Sequence, residues 1–549
     1  MLRLFPRPWL VPATLLAALP SIACRGTGAA PPAERWLSAR SPAAFVVPGV
    51  GRAARELTVL EGTLSGFPGV ARQLAGLRGA LISQLGFDPL DTDAIARAGI
   101  EPSGGIALGA EPPAEEGAPA TPVVILPLRD SSSFLRVVAR IARERLGAPE
   151  RSESVRGAIR LVIFRSEAAQ AAALSVALAS GERVAALASG PAGPDVVVAA
   201  LSRPLAESLA EVPAWRELRE AVGDRSTFLA GAVPPFRGLP TFAPEGLALG
   251  GSVAPGEVRL VLAARLGARA SSLRALRADG DSRPALRSLA SDAALVLRWD
   301  GDPAELGKHL LSRVPAQDRA WLEAHGFDLQ RDLFDQLVPG AAAAFSVSPR
   351  LDLSDLSDVV LRADPLRLVR FELTGEVKDP SSAQDALARL PVLLAALARP
   401  VSGASPRPSA APPGSGRFAT PSGEISWQLD GRRLSLAGGP PGSLAALLAR
   451  EHGALGYSAP TAAAAVALEG GLGGAVLSPR RLAASFRALP EESFGTGPAG
   501  FLARSFVLRF LEPAERVAAI SIKADLGEKA LLLEARIETP KASVQGEAR

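Results

Sequence analysis

Three short landmarks occur twice in this chain of 549 residues, and their fixed order constrains the fold more than any other feature. The first is a β-prone run that begins each copy, at residues 41–47 and 291–297. The second is a predicted helix end that reads Gly-Phe-Asp, at residues 86–88 and 326–328. Glycine is a favoured helix C-cap because it adopts positive φ without a Cβ clash, and aspartate is a favoured N-cap for a helix that follows.

The third landmark is a strand that closes each copy, at residues 256–266 and 527–537, with six identical positions. The spacing between copies varies from landmark to landmark, as loop insertions in related units would make it. Repeated landmarks in a fixed order favour an internal duplication over chance matches in an Ala/Gly-rich chain. We therefore expect two related units, 39–268 and 285–540, joined by a linker at 269–284.

Between the landmarks, strand-like and helix-like patterns alternate along the chain. Consecutive strands with short turns favour antiparallel pairing, and single helices between them favour α+β layers. We expect each unit to be a mostly antiparallel sheet covered by helices on one face. The predicted strands include residues 195–200, 340–347 and 461–470. The low-complexity stretch 402–416 is expected to be a disordered insertion, and residues 541–549 a tail.

The start of the chain has the pattern of an export signal. Arg3 and Arg7 make it positively charged, and an apolar run follows at residues 9–18. A membrane-spanning helix needs about 20 residues, so this shorter run predicts the core of a signal peptide. A small residue, Ala23, directly precedes Cys24, the only cysteine of the chain.

This junction resembles the lipobox of bacterial lipoproteins, in which the cysteine receives a diacylglyceryl group and the peptide before it is removed. The resemblance implies a signal peptide at 1–23, fatty-acyl (palmitate) chains on Cys24, and a membrane-attached protein that faces the periplasm or the cell surface. Ser21 departs from the family, which usually has leucine there. The alternatives are an ordinary secretory signal cut near Ala23 and a free thiol of no consequence. Arg25 in place of aspartate favours the outer membrane, by resemblance to the sorting rule of enterobacterial lipoproteins.

Gly, Pro and Ala dominate the residues that follow Cys24, so we expect the stretch 24–38 to be a flexible tether. The body beyond it resembles a family of uncharacterised bacterial exported proteins, known only as a domain of unknown function. The resemblance rests on a strand and helices that lead into the Gly-apolar-Asp turn and then an antiparallel sheet. It covers most of residues 39–540, implies no activity and brings no functional residues.

No catalytic, metal-binding or cofactor-binding constellation is evident in the sequence. Histidine occurs three times, at His309, His325 and His452. The last two are expected at helix C-termini, where a cation complements the helix dipole. Zinc sites need Cys and His ligands at characteristic spacings, and no such cluster is present. We therefore predict no metal, no cofactor and no catalytic residue.

Three partial motifs remain, and a structural interpretation is favoured for each. Residues 49–54 nearly match a dinucleotide fingerprint but lack its parallel βαβ context. Ser458 lies in a Gly-x-Ser-x-Pro run, and no histidine follows it to complete a triad in the hydrolase order. Asp328, Asp332 and Asp335 surround a predicted helix start, where caps and dipole partners are expected.

The charge pattern argues against nucleic acid as a partner. The net charge is only +4, and the arginines are scattered among acids rather than massed in a basic stripe. We predict a membrane-anchored envelope lipoprotein whose two units form a non-enzymatic binding or scaffolding body. Its expected partners are the membrane, through the lipid, and envelope proteins or an apolar ligand. A carrier of lipid or another apolar ligand is the alternative, and a carboxylate-dependent hydrolase ranks last.

Overall fold

The computed structural model describes twelve ranges of the chain: 32–65, 67–112, 120–166, 173–179, 181, 183–223, 226–232, 244–267, 270–353, 364–402, 414–451 and 456–540. The predicted signal peptide, Cys24 and residues 24–31 of the predicted tether lie outside these ranges, as do residues 403–413 of the predicted insertion and the tail. The rest of the stretch expected to be a flexible tether is ordered: Ala33–Trp36 form a 3₁₀ helix, and Leu37 is buried in the core of the first unit. The chain divides into two compact units, residues 1–269 together with Lys529–Leu532, and the remainder.

The first unit contains an antiparallel sheet of ten strands in its described residues. They are β1 (Ala44–Val47), β2 (Ile106–Glu111), β3 (Thr121–Pro127), β4 (Glu150–Arg156), β5 (Ile159–Arg165), β6 (Ala173–Leu178), β7 (Val184–Ser189), β8 (Phe228–Ala232), β9 (Gly246–Ala254) and β10 (Glu257–Arg265). Across the sheet the order is β4-β5-β6-β7-β3-β2-β1-β8-β9-β10.

Helices cover both faces of this sheet, where one face was expected. They are α1 (Val50–Leu64), α2 (Pro68–Leu85), α3 (Thr92–Arg97), α4 (Ser131–Leu146), α5 (Gly193–Ser202) and α6 (Pro213–Val222). Successive residues of a strand point to opposite faces. On β5, Leu161 and Ile163 pack with α5 and α6, whereas Val162 and Phe164 pack with α1, α3 and α4. A strand that is apolar on both sides needs cover on both sides to remove that surface from water.

The second unit contains nine strands in its described residues. They are β11 (Leu295–Trp299), β12 (Ala341–Val347), β13 (Val369–Glu376), β14 (Ser415–Thr420), β15 (Gly423–Asp430), β16 (Arg433–Gly439), β17 (Gly473–Leu477), β18 (Ala519–Leu526) and β19 (Ala530–Glu538). The first eight form an antiparallel sheet in the order β14-β15-β16-β13-β12-β11-β17-β18.

The helices of the second unit also lie on both faces of its sheet. They are α7 (Ser271–Arg274), α8 (Arg283–Ser288), α9 (Pro303–Leu311), α10 (Ala316–Ala324), α11 (Pro380–Ser402), α12 (Ser443–Glu451), α13 (Ala462–Ala467), α14 (Pro479–Arg487) and α15 (Gly497–Leu511). On one face, Leu387 and Leu390 of α11 pack against Trp427. On the other, α8 and α13 enclose Val296 and Val476. The predicted α+β class is therefore confirmed for both units.

The two sheets share one strand order over eight strands. The sequence of strands β5-β6-β7-β3-β2-β1-β8-β9 corresponds one by one to β14-β15-β16-β13-β12-β11-β17-β18. The second landmark also has the same geometry in both copies. Gly86 and Gly326 have φ of 67° and 76° after α2 and α10, and Asp88 and Asp328 each accept a hydrogen bond at 2.9 Å from the backbone N–H two residues later. The N-cap of α3 is Asp91, however, and not Asp88.

A further repeated feature, not predicted, begins the helix that follows β3 and β13. Asp130 accepts hydrogen bonds from the N–H groups of Ser132 and Ser133 at 3.2 and 3.0 Å, which caps α4. Asp379 accepts them from the N–H groups of the two serines at 381 and 382, at 3.1 and 3.2 Å, which caps α11. Both caps satisfy N–H groups that have no partner inside the helix.

Two of the predicted strands are wrong. Residues 195–200 belong to α5, and α13 lies within residues 461–470. A short apolar run of Val and Ala fits a buried helix as well as a buried strand. The hydroxyl of Thr461 accepts the N–H of Ala464 at 3.0 Å and so starts a helix. Residues 340–347 do contain the predicted strand, β12. The stretch expected to be a linker, 269–284, contains α7 and the first residues of α8.

Candidate functional site

Cys24, the single site residue proposed from the sequence, lies outside the described residues, so its acylation stays a prediction. Two cavities with charged walls, one in each unit, are candidate sites among the described residues. Neither contains a residue proposed from the sequence. Their side chains come from distant parts of the chain, which only the strand pairing brings together.

The cavity of the second unit has a volume of about 170 Å³ and is lined by β12, β13, β16 and α12. Its charged pair is Glu372 on β13 and Arg450 on α12, whose Nη2 donates to Oε1 of Glu372. The other carboxylate oxygen accepts the N–H of Ala290 at 2.8 Å. Nε of Arg450 donates to the carbonyl of Ser288 at 2.9 Å. These contacts join β13 and α12 to the end of α8, which is a structural role.

Arg370 lines the same cavity and is less well satisfied. Its Nε is buried, and no described residue accepts a hydrogen bond from it. A buried donor without a partner costs about 1–3 kcal/mol, so a water or a polar ligand atom fits beside it. Asp292 and Glu372 also face the cavity, and their two carboxylates oppose an anion there. This composition suits a small polar molecule better than a charged one.

The cavity of the first unit is larger, about 280 Å³, and its charged groups are also paired. Glu34 has a side chain only 3% exposed, and it accepts a hydrogen bond from Nη1 of Arg219 at 2.5 Å. The carbonyl of Ser226 accepts Nη2 of Arg52 at 2.5 Å. A buried charge needs a partner of this kind. These contacts therefore explain the charged groups at the cavity as parts of the fold, with no need for a catalytic role.

One carboxyl group near this cavity has a perturbed proton affinity. Burial raises the pKa of Glu56 above its ordinary value, although the charge of Arg52 and a hydrogen bond from the N–H of Val253 oppose the shift. Arg52 lies 3.1 Å from it, one turn earlier in α1. The hydroxyl of Thr227 donates to its other oxygen. Perturbed carboxyls occur at catalytic sites, but these contacts tie α1 to the strands below it.

The histidines that the structure describes make local contacts. His325 follows α10, as expected, and its Nδ1 lies 2.7 Å from the carbonyl of Trp321. Its ring centre is 4.2 Å from the ring centre of that tryptophan. Nε2 of His309 lies 3.3 Å from the carbonyl of Ser272. His452 lies outside the described residues. In the described ranges, no group of three or more His, Cys, Asp or Glu residues could hold a metal ion.

The three neighbouring aspartates do not converge as an acid–base pair. Asp332 has Arg331 and Arg389 each at 2.8 Å. Burial alone would raise the pKa of Asp332, but the hydrogen bonds from Arg331 and the N–H of Asp328 and the charge of Arg389 together lower it. A carboxyl held ionised in this way cannot serve as a proton donor near neutral pH. Asp335 accepts Nε2 of Gln330 at 2.5 Å.

The other two partial motifs also have structural roles. Gly49 precedes α1 in an extended conformation, and β1 pairs antiparallel with both of its neighbours. The parallel βαβ unit that a dinucleotide site needs is therefore missing there. Ser458 lies in the irregular stretch before α13, and its carbonyl accepts Nη2 of Arg481 at 2.9 Å. A nucleophile elbow would need a strand just before it.

A surface that the sequence did not reveal is the outer side of α15. Phe501, Leu502, Phe506 and Phe510 are 61%, 67%, 72% and 75% exposed. The inner side packs through Val507 on a core formed by Leu351, Leu489 and Phe494. We call the four exposed residues, Phe501, Leu502, Phe506 and Phe510, the aromatic face. In sequence the helix resembles an ordinary buried segment, because the pattern alone does not tell which apolar side chains are covered. No helix in the described ranges is long and apolar enough to cross a bilayer.

Comparisons with known proteins found two weak structural matches. No family model matches the chain, and no curated protein matches it. Two solved structures, crystal forms IV and III of TP0453, align with TM-scores of 0.24 and 0.24 and identities of 9% and 10%. They cover 43% and 44% of this chain and 81% and 81% of their own. A TM-score of this size carries no argument about fold or function.

Proposed function

We propose that this chain is an envelope lipoprotein anchored to a membrane through Cys24, and that its two units arose by duplication and form a non-enzymatic binding or scaffolding body. The observation that supports the body's role most is the pairing of its cavity walls. Glu34 with Arg219, and Glu372 with Arg450, satisfy each other's charges. Catalysis needs polar groups that are free to engage a substrate and change state, and these are engaged with the fold.

The anchor is tested by replacing the thiol. Cys24→Ser should move the protein from the membrane fraction to the soluble fraction or leave it unprocessed, with the signal peptide still present. Ser21→Leu is the matched control, because it restores the residue usual in the lipobox and should keep the protein membrane-bound. Mass spectrometry of the wild-type N-terminal peptide should find an acylated cysteine. An unmodified Cys24 in protein purified from membranes would contradict the proposal.

The binding role is tested by what co-purifies. We expect cross-linking in native membranes, followed by mass spectrometry of proteins and lipids, to recover a defined envelope protein or ligand with the wild type. Arg370→Ala should change that recovery if the cavity of the second unit is the binding site. Arg156→Ala, on an exposed strand of the first unit, is the control. Recovery of nothing beyond what an unrelated lipoprotein yields would count against a binding role.

A carrier of an apolar ligand is the second candidate, and a row of side chains in the second unit favours it. Leu297, Ala475 and Ile522 lie side by side across β11, β17 and β18, and Leu297 and Ile522 are 38% and 48% exposed. An apolar row left open on a sheet can accept an acyl chain. A fluorescent fatty acid should bind the wild type, and Leu297→Asp should abolish the signal while Val155→Asp preserves it. Equal binding by both variants would exclude this row.

A further inference from the structure

The aromatic face occupies one side of α15. With about 100° per residue, Phe501, Leu502, Phe506 and Phe510 spread over about half of the circumference. Three large rings and a leucine in water are unusual for a single helix of a folded protein. Since Val507 and the core beneath it hold the other side, the fold does not need these four side chains.

The charges around the aromatic face have a small positive excess. Within α15, Arg504 and Arg509 are the charged residues, and no acid occurs. Arg504 lies 3.8 Å from Glu491, and Arg509 is exposed. The whole link between β17 and β18, residues 478–518, has six arginines and four glutamates. The surface is therefore weakly basic and strongly aromatic.

We propose that the aromatic face of α15 inserts into the headgroup region of an anionic lipid bilayer. Helices with aromatic residues on one side and arginines beside them lie in this layer, with their rings at the acyl boundary and their cations at the lipid phosphates. Long arginine side chains reach the phosphates while their methylenes stay among apolar groups. The inference rests on the proposed membrane attachment, because that attachment would hold the body beside a bilayer.

A second copy of the chain fits this surface less well. A side chain as large as phenylalanine offers roughly 150–250 Å² when it is fully buried, so the four partly exposed side chains together offer about 500 Å². A stable dimer usually needs about 800 Å² from each partner.

The position of α15 in the fold supports a dedicated role. In the second unit the link between β17 and β18 contains α14 and α15. The corresponding link in the first unit, between β8 and β9, is only residues 233–245. The two sheets share a strand order, so the longer link of the second unit is an addition to that common arrangement.

The test places a fluorescent reporter on the face. In the full chain with Cys24→Ser, which removes the competing thiol, Phe506→Cys is labelled with an environment-sensitive dye. Val155→Cys, an exposed position on β4, is the matched control. Vesicles of phosphatidylglycerol and phosphatidylethanolamine should shift the emission at 506 to the blue and raise it severalfold. The emission at 155 should stay as in buffer.

Several outcomes would overturn the inference. One is an emission at 506 that vesicles do not change. Another is a blue shift that grows with protein concentration in the absence of vesicles, which would indicate self-association. A third set of variants tests whether the other phenylalanines of the face are required. A dye at Phe501→Cys should lose its blue shift with vesicles when Phe506→Ser and Phe510→Ser are added. An undiminished response there would contradict insertion of this face. These readings do not depend on acylation, so the anchor and the helix can fail separately.

Discussion

At the scale of single residues, the glycine after α10 has a conformation that the turn requires. Gly326 has φ of 76°, and apart from its two chain neighbours no residue has an atom within 4 Å of the place where a Cβ would be. We expect Gly326→Ala to lower the free energy of unfolding by about 1–2 kcal/mol, because an L-residue is strained at positive φ. Gly62 lies inside α1 with equally open space, so Gly62→Ala should instead raise it by up to about 1 kcal/mol. Denaturant titration measures the free energy of unfolding of both variants. A change of the same sign in the two would contradict this expectation.

A buried ion pair in the second unit gives a larger expected effect. Arg298 and Asp300 have side chains 0% and 6% exposed, and Nε of Arg298 donates to the carbonyl of Ala467 at 3.1 Å. Burial lowers the pKa of Arg298, against the opposing charge of Asp300. Asp300→Ala should cost about 3–5 kcal/mol of stability, because it leaves a buried cation unpaired.

The comparison for that variant is an exposed pair. Arg156 and Asp195 lie 2.7 Å apart on the surface of the first unit, and Arg156→Ala should change stability by less than about 1 kcal/mol. Thermal or denaturant unfolding distinguishes the two. A small loss for Asp300→Ala would mean that the guanidinium finds water or another acceptor.

At the scale of elements, the caps of α4 and α11 give a prediction in pH. Hydrogen bonds from the hydroxyls of Ser133 and Ser132 lower the pKa of Asp130 to about 2, from 3.8. The hydroxyl of Ser382 is the largest cause of a lowered pKa at Asp379. A lowered pKa means that the folded state holds its proton less tightly. The cap therefore contributes fully above pH 3.8 and loses its contribution as the pH falls towards 2.

Neutral variants of the two caps test this sign. Asp130→Asn keeps a side chain that can cap a helix but does not titrate. We expect wild type and variant to differ most above pH 3.8 and to converge near pH 2. Asp379→Asn should show the same direction in the second unit. Chemical unfolding followed by circular dichroism across that range measures it, and a difference that grows as the pH falls would contradict the sign.

The sequence predicts local features of these elements, such as helix ends. It does not predict which distant side chains the strand pairing brings into contact. Gly-Phe-Asp predicts a helix end because few residues tolerate positive φ, and both copies have it. The Val-rich run at 195–200 indicated a strand, but burial from both sides suits a helix equally well. Glu372 and Arg450 come into contact because β13 pairs with β16, and α12 directly follows β16 in the chain. No spacing in the sequence indicates such a contact.

The aromatic face was missed for a related physical reason. Phe501 and Phe506 have the composition of core residues, and periodicity gives the side of a helix but not what lies against it. Fold class is robust to such errors, since alternation of strands and helices decides it. A surface depends on which side chains remain uncovered after packing, and that is a property of the folded chain.

At the scale of the whole molecule, the single cysteine leads to a prediction about redox conditions. A chain with one thiol cannot form an internal disulfide, so a reductant should leave the unfolding midpoint unchanged. If Cys24 carries a lipid, the purified protein should also give no disulfide-linked dimer on a non-reducing gel. A dimer that reductant dissolves would show a free thiol and would contradict acylation. Cys24→Ser is the control that must abolish it.

The hairpin of β4 and β5 at one edge of the first sheet has a consequence for solubility. Every residue of β4 is exposed, and its Glu153 pairs with Arg151 and with Arg160 of β5. An uncovered strand is a template on which foreign strands can grow, and charged side chains discourage such growth. On a crowded surface, where neighbouring chains are concentrated, this edge would act as a barrier to fibril-like stacking. The second sheet ends instead at β14, which has fewer charges, and that border is where we would look first for aggregation.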